Sequence, residues 1–173
     1  MNLMIDLETL GTTAACPVIS IGAVFFDQTG IKHKYYEILD VEQQIDQGRQ
    51  VDGATIKWWM SQANAAKTVF NENARDSKLI LEKFVDFINM YSNKKAVKPW
   101  GNGSNFDITI LDDLFSFYGM DTPWEFWNIR DLRTFKEYVF DGGNVKRLGT
   151  HHNALDDAIY QAEIVIEGMK RTR

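Results

Sequence analysis

Three strand patterns follow one another at the start of the chain, and the residues after them are mainly helical in period. The run from Leu3 to Leu7 is apolar apart from Asp6, and Val18 to Phe26 is rich in β-branched and aromatic residues. Asp27-Gln28-Thr29-Gly30 is a hairpin-type turn, so Ile31 to Leu39 is predicted to be the returning strand. We therefore expect three antiparallel strands with a buried first strand.

Downstream of Asp40 the apolar residues recur with helical spacing. The predicted elements are a short helix around residues 56–60, an amphipathic helix at 79–91, a strand ending at Trp100-Gly101, a helix from Phe106 to Tyr118, a short strand from Phe126 to Ile129, a helix from Asp131 to Phe140 and a final helix around residues 155–169. No repeat or linker interrupts this order, and 173 residues suit one domain. The prediction is a single mixed α/β domain covering residues 1–173.

The composition excludes several classes of protein. Apolar residues make up 45% of the chain, yet no run approaches the ~18 residues of a transmembrane helix, so no membrane partner is expected. The formal net charge of −5 argues against a protein that grips long nucleic acid through a basic surface. It permits an enzyme that holds only a strand end. Cys16 has no disulfide partner and the N-terminus lacks a signal-peptide pattern, so we expect a cytoplasmic protein of a bacterial or phage-infected cell.

The first group of chemically active residues is Asp6-Leu7-Glu8. Residues two apart on a strand share a face, so both carboxylates project together while Ile5 and Leu7 point the other way. Neighbouring carboxylates raise each other's pKa unless a cation lies between them. The alternative is an exposed edge strand with solvated acids.

The second group is Asn102-Gly103-Ser104-Asn105-Phe106-Asp107, where a strand ends at a glycine-containing loop and an acid enters the next helix. Ordinary helix capping is the alternative interpretation here. Ser104 or Asn105 would then be the cap, and the helix dipole would favour Asp107 in the first turn.

The third group is His151-His152-Asn153-Ala154-Leu155-Asp156-Asp157, which precedes and begins the last helix. Capping with solvated charges is one alternative, and a zinc site is another, because histidine and aspartate both bind zinc. Adjacent histidines rarely converge on one tetrahedral ion, and no cysteine lies nearby in the sequence.

Together the three groups resemble the DEDDh family of 3′–5′ exonucleases, which includes oligoribonuclease, ribonuclease T and the proofreading subunit of bacterial replicative polymerase. The shared pattern is Asp-x-Glu on a first strand, Asn-x3-Phe-Asp at a mid-chain helix and His-x4-Asp at a C-terminal helix. Both His151 with Asp156 and His152 with Asp157 satisfy the last spacing. The usual family form, His-x-Ala-Leu-x-Asp, aligns its Ala-Leu pair only when it starts at His152. We therefore assign His152 and Asp157.

Two further segments are similar to the DexA-type exonucleases of T-even phages and to related bacterial exoribonuclease-like domains. They are Thr55-Ile56-Lys57-Trp58-Trp59, followed by Ala65-Ala66-Lys67, and Phe126-Trp127-Asn128-Ile129-Arg130-Asp131-Leu132-Arg133-Thr134. The resemblance runs from Met4 to about Glu167, and the joint set of motifs is far more specific than any single one.

The resemblance implies a ribonuclease H-like fold with a mixed central sheet flanked by helices. It implies that Asp6, Glu8, Asp107 and Asp157 hold two Mg²⁺ or Mn²⁺ ions ~3.5–4 Å apart. It also implies that His152 is the general base. Five residues are assigned by resemblance to the substrate: Thr9, Leu10, Asn102, Phe106 and Trp59. Of these, Leu10 is expected to wedge against the terminal base, and Trp59, or Trp58 in its place, to stack on a base.

The resemblance therefore predicts an enzyme that releases 5′-mononucleotides from the 3′ ends of single-stranded DNA or RNA, with the DexA-like segments favouring DNA. The alternatives are an exoribonuclease of the oligoribonuclease or ribonuclease T kind and a silent nucleic-acid-binding module. A metal-dependent phosphatase or endonuclease is a further alternative. None of the five family residues is missing, which argues against a silent module, and analogy with small relatives allows a homodimer.

Overall fold

A mixed sheet forms the centre of the protein in the computed structural model, which describes residues 1–71 and 73–172. Within these residues the strands are β1 (Asn2–Thr9), β2 (Val18–Asp27), β3 (Gly30–Ile38), β4 (Lys98–Gly101) and β5 (Arg130–Asp131). Their order across the sheet is β3-β2-β1-β4-β5. β2 is antiparallel to both β1 and β3, whereas β4 is parallel to β1 and β5 is parallel to β4. The three antiparallel strands and the central position of β1 confirm the prediction.

Helices flank the sheet and connect its strands. They are α1 (Val41–Asp46), α2 (Gly53–Ser61), α3 (Ser77–Tyr91), α4 (Ser104–Phe117), α5 (Leu132–Tyr138) and α6 (Ala154–Arg171), with 3₁₀ turns at Ala66–Asn71 and Phe126–Asn128. Side chains at the start of five of these helices accept backbone N–H groups and so fix where the helix begins: Asp40, Asp52, Asp76, Asp131 and Asn153. In the part of the chain described, no helix is long and apolar enough to cross a bilayer.

The predicted strand from Phe126 to Ile129 is wrong. Phe126–Asn128 is a 3₁₀ turn, and the strand is the pair that follows it, Arg130–Asp131. The buried side chain of Asn128 donates a hydrogen bond to the Lys95 carbonyl at 2.9 Å, which secures the turn in place of a strand ladder. The next helix is also shorter than predicted, because Asp131 is its cap and it ends at Tyr138.

Alternate residues of β1 face two separate cores. Leu3, Ile5 and Leu7 are buried against α3 and α4. Met4, on the opposite face, is buried with apolar residues of α6. The period of two along β1 therefore directs Asp6 and Glu8 to the α6 side. The sequence predicted that the two acids share a face, and the packing on α6 identifies which face it is.

A glycine in β2 allows α6 to lie directly on this face of the sheet. A Cβ atom on Gly22 would lie 2.1 Å from the carbonyl carbon of Ala154, so any larger residue collides with the first turn of α6. Gly22 is the cross-strand partner of Asp6. The close approach thus brings the helix turn that carries Asp157 next to the acidic end of β1.

Candidate active site

The carboxyl ends of β1 and β4 meet at one cavity of about 840 Å³, which is lined by all four predicted metal ligands: Asp6, Glu8, Asp107 and Asp157. The first two project from β1, the third from α4 and the fourth from α6. One carboxylate oxygen each from Asp6, Glu8 and Asp157 lie within 4.8 Å of one another. Residues more than a hundred positions apart in the chain therefore form one group of acids.

Asp107 joins this group through the backbone of β1. Its Oδ1 accepts a hydrogen bond from the N–H of Leu7 at 3.2 Å, and only 4% of the residue is exposed. Gly101 ends β4 beside it, where a Cβ atom would lie 3.1 Å from Oδ2 of Asp107. The alternative interpretation, in which Ser104 or Asn105 caps α4, is wrong, because the cap is Gly103 in a left-handed conformation with φ of 95°.

The carboxylates are buried rather than solvated. Burial, followed by the charges of Asp157 and Asp107, raises the pKa of Glu8 to about 8. Burial, then repulsion from Asp107 and the other acids, raises the pKa of Asp6 well above its ordinary value. Burial raises the pKa of Asp107 to about 7, against the N–H groups that stabilise its charged form. Because β1 is central and Glu8 is 6% exposed, the edge-strand alternative is wrong.

The donor set fits divalent cations. Oxygen-only ligands suit hard ions such as Mg²⁺ and Mn²⁺, and a cation among these acids would relieve their mutual repulsion. His151, His152 and Asp157 also place one potential ligand atom each within 4.8 Å of one another. This second group is of a kind that zinc accepts. Both groups include Asp157, but they differ in the metal ions that they favour. The activity of the enzyme with each ion therefore distinguishes them.

The loop before α6 holds His152 at the cavity wall. His152 is the one non-glycine residue in the described ranges with a positive φ, at 64°, and its N–H donates to Oδ2 of Asp157 at 3.2 Å. Its ring packs edge-on against Trp58 with centroids 4.7 Å apart. Burial, and secondarily the neighbouring His151, lower its pKa, so the imidazole is neutral at neutral pH. Asp156 instead accepts the N–H of Thr150 at 2.7 Å, so it is occupied outside the acidic group.

Two arginine side chains provide positive charge next to the acids. Arg147 forms an ion pair with Asp157, and its guanidinium lies over the Tyr160 ring at 4.6 Å. Arg133 also lines the cavity, close to Gly103 at the start of α4. Both line the cavity beside the acids, and Arg133 lies in the DexA-like segment.

Four of the five predicted substrate residues, Thr9, Trp59, Asn102 and Phe106, line the cavity. Leu10 does not line it. Leu10 is 6% exposed and packs in a core cluster that includes Ile19, so the structure does not bring the expected wedge to the site. Its substrate contact stays a prediction.

The tryptophan pair on α2 divides into a buried and an exposed member. Trp59 touches the cavity wall but is 3% exposed, and its Nε1 donates to the Thr9 carbonyl at 2.9 Å. Trp58 is 40% exposed and lines the same cavity. Trp58 therefore presents part of its side chain to the cavity, whereas Trp59 supports the end of β1.

One cavity residue, Gln161, was not identified from the sequence. It is 4% exposed and donates from Nε2 to Oδ1 of Asp6 at 2.6 Å. Its spacing of four residues from Asp157 on an amphipathic helix is the signal that would have found it, because residues i and i+4 share a helix face.

Comparisons with known proteins agree with this geometry. A family model described as the 3′-5′ exoribonuclease Rv2179c-like domain matches residues 1–169. The exodeoxyribonuclease of Enterobacteria phage T4 is 30% identical over 162 residues, which cover 77% of this chain and 69% of the phage protein.

Solved structures share the fold at low sequence identity. The nuclease domain of 3′hExo, a DEDDh family member bound to rAMP, superposes with a TM-score of 0.67 at 13% identity, over 98% of this chain and 92% of that one. Exonuclease X in complex with 5′ overhanging duplex DNA gives a TM-score of 0.60 at 14% identity, over 99% and 93%. The DEDDh family generally uses divalent metal ions. The chain therefore belongs to the family of 3′-5′ exoribonuclease Rv2179c-like domains and is a 3′–5′ exonuclease of the ribonuclease H-like fold.

Proposed function

We propose that Asp6, Glu8, Asp107 and Asp157 bind two divalent cations, Mg²⁺ or Mn²⁺, and that His152 is the general base. The observation that carries this proposal is the convergence of three carboxylates within 4.8 Å, two of them buried and that of Asp6 partly buried. Asp107 is hydrogen-bonded to the strand between Asp6 and Glu8. Such an acidic group destabilises the fold unless a cation or protons neutralise it.

The protein's own residues supply position and proton transfer. When bound, the cations lower the pKa of the attacking water and offset the charge that develops on the phosphate. A neutral imidazole of His152 accepts the proton of that water at a ring nitrogen, because its lowered pKa keeps it in the basic form. Arg133 and Arg147 hold phosphate oxygens in the orientation that hydrolysis requires.

The substrate of this proposal is the 3′ end of a single strand, released as 5′-mononucleotides. The cavity lies between α2, which presents Trp58, and the start of α4, which presents Phe106. A site enclosed by aromatic side chains suits a terminal nucleotide with a splayed base. The family description names RNA and the phage relative is named for DNA, so we propose activity on both with DNA favoured. The choice between sugars then depends on a local contact to the 2′ position.

Matched DNA and RNA oligonucleotides of one sequence test this proposal. Each is incubated separately with Mg²⁺, Mn²⁺ and Zn²⁺, and the Asp157→Asn variant is the matched control. We expect degradation of both strands with Mg²⁺ or Mn²⁺, a higher kcat/KM for DNA, and no turnover by the variant. Activity with Zn²⁺ but not with Mg²⁺ or Mn²⁺ would indicate that the group containing His151 is the catalytic metal site. Binding without turnover under all conditions would indicate a silent module.

A further inference from the structure

Gln161 connects α6 to the acidic end of β1 by a hydrogen bond that the family motifs do not include. Its Nε2 donates to Oδ1 of Asp6 at 2.6 Å, and the side chain lines the cavity while only 4% of the residue is exposed. Its Oε1 has no hydrogen-bond partner among the described residues. An ionised carboxylate, the form that binds a cation, can only accept from the amide, so in that form Nε2 is the atom that faces Asp6.

A buried amide oxygen without a donor is unfavourable for folding. Within the described ranges the only other buried side-chain polar atom in this condition is Oγ of Ser20, the cross-strand partner of Glu8. Both atoms therefore lie beside acids of the site, but Ser20 is fully buried and does not line the cavity. Of these two residues, only Gln161 has both an unpaired acceptor atom and a side chain that lines the cavity.

We propose that Gln161 is a positioning residue of the metal site. Its Nε2 holds the Asp6 carboxylate in the orientation that binds the cation, and its Oε1 accepts a hydrogen bond from a water molecule of the cation's hydration shell. Mg²⁺ and Mn²⁺ suit this arrangement, since hard cations bound by few carboxylates keep several waters. The inference rests on the proposed metal site and adds a residue to it that is not itself a ligand.

The comparison that tests it is Mn²⁺ affinity, measured by calorimetry on the metal-free protein, for wild type, Gln161→Met and Ser20→Ala. Partners of metal ligands typically contribute ~10–100-fold to metal affinity. We expect a loss in this range for Gln161→Met and unchanged affinity for Ser20→Ala. Methionine is similar in length and removes both the unpaired Oε1 and the donor to Asp6, two changes with opposite effects on stability. The metal-free melting temperature of Gln161→Met should therefore stay close to that of wild type.

The outcomes separate this inference from the proposed function. If wild type fails to bind Mn²⁺, the metal site itself is wrong. If wild type binds but Gln161→Met binds equally well, only the role of Gln161 is overturned. A lowered melting temperature of metal-free Gln161→Met, with affinity lost in parallel, would assign Gln161 a structural role instead. Should Gln161→Met not fold, Gln161→Asn replaces it, because its shorter amide cannot reach Asp6 and should lose affinity in the same direction.

Discussion

The backbone N–H of His152 donates to Oδ2 of Asp157 at 3.2 Å, so the predicted base is hydrogen-bonded to a predicted metal ligand. This bond accompanies a left-handed backbone at His152, with φ of 64°, a conformation that costs free energy in a non-glycine residue. We infer that this conformation, held at a cavity wall, positions the imidazole for its proposed role as the base.

His152→Ala should therefore lose far more activity than His151→Ala. A general base contributes typically ~10²–10⁴-fold to the rate, and we expect the loss in His152→Ala to lie in this range while Mn²⁺ affinity is retained. Steady-state kinetics at saturating Mg²⁺ measures the difference. A larger loss in His151→Ala would reverse the assignment of the pair.

The pH dependence of kcat/KM should report the same histidine. Burial and the neighbouring His151 lower the pKa of His152, so the acidic limb of the profile should lie below pH 6.5. The basic form is the active one, so activity should rise with pH through this limb. We expect the limb to disappear in His152→Ala. A limb that persists there would belong to another group.

The stability of the metal-free protein should fall as the pH rises. The folded pKa values of Glu8 and Asp107 are about 8 and about 7, above their ordinary values of 4.5 and 3.8. Between the ordinary and the folded pKa values of each group, the native state binds a proton that the unfolded chain has released. The free energy of unfolding therefore decreases as the pH rises through this range. Urea unfolding in a chelator, repeated across the interval, measures the slope. Asp107→Asn should make the free energy of unfolding less dependent on pH. A free energy of unfolding that increases with pH in the wild type would contradict the burial of the acids.

Gly22→Ala should inactivate the enzyme without preventing folding. The new Cβ would lie 2.1 Å from the backbone of Ala154, so α6 must move away from the sheet and carry Asp157 with it. Misplacement of a catalytic group by about 1 Å can cost about 10²-fold in rate, and overpacking costs about 1–3 kcal/mol of stability. Gly53→Ala is the matched control, since no atom lies within 4 Å of its Cβ position. Normal activity of Gly22→Ala would show that the contact is not needed for the site.

Substitution of the two tryptophans of α2 should affect different properties, stability for Trp59 and substrate binding for Trp58. Trp59→Phe leaves the Thr9 carbonyl without its donor in a buried place, so the free energy of unfolding should fall by about 1–3 kcal/mol. Trp58→Ala should instead raise KM by about tenfold or more, because base stacking on an aromatic ring is worth ~1–3 kcal/mol. Phe126→Ala, which removes an exposed ring outside the cavity lining, is the control for Trp58. A normal KM in Trp58→Ala would exclude stacking.

The sequence predicted those features that depend on local spacing. The strand period placed Asp6 and Glu8 on one face, and the hairpin turn fixed the pairing of β2 with β3. The family motifs assign His152 and Asp157, and in the structure the backbone N–H of His152 donates to Asp157. The catalytic role of His152 stays a prediction.

Features that depend on tertiary packing were not predictable in the same way. Adjacent tryptophans on a helix point in different directions, but only the docking of α2 on β1 determines that Trp59 is the buried one. Leu10 comes two residues after Glu8, yet the chain turns it into the core. The turn at Phe126–Asn128 depends on a contact between Asn128 and the backbone of Lys95, which no local pattern reveals.

The most direct test of the central claim is a time course on a 5′-labelled single strand with Mg²⁺, resolved at single-nucleotide length. Metal-bound acids that act on a 3′ end should produce a ladder that shortens by one nucleotide at a time. Asp6→Ala, Glu8→Ala, Asp107→Ala and Asp157→Ala should each leave the strand intact, because loss of one ligand misplaces a cation. Immediate release of the 5′ label as a mononucleotide, internal cuts without a ladder, or full activity in any of these variants would contradict the account.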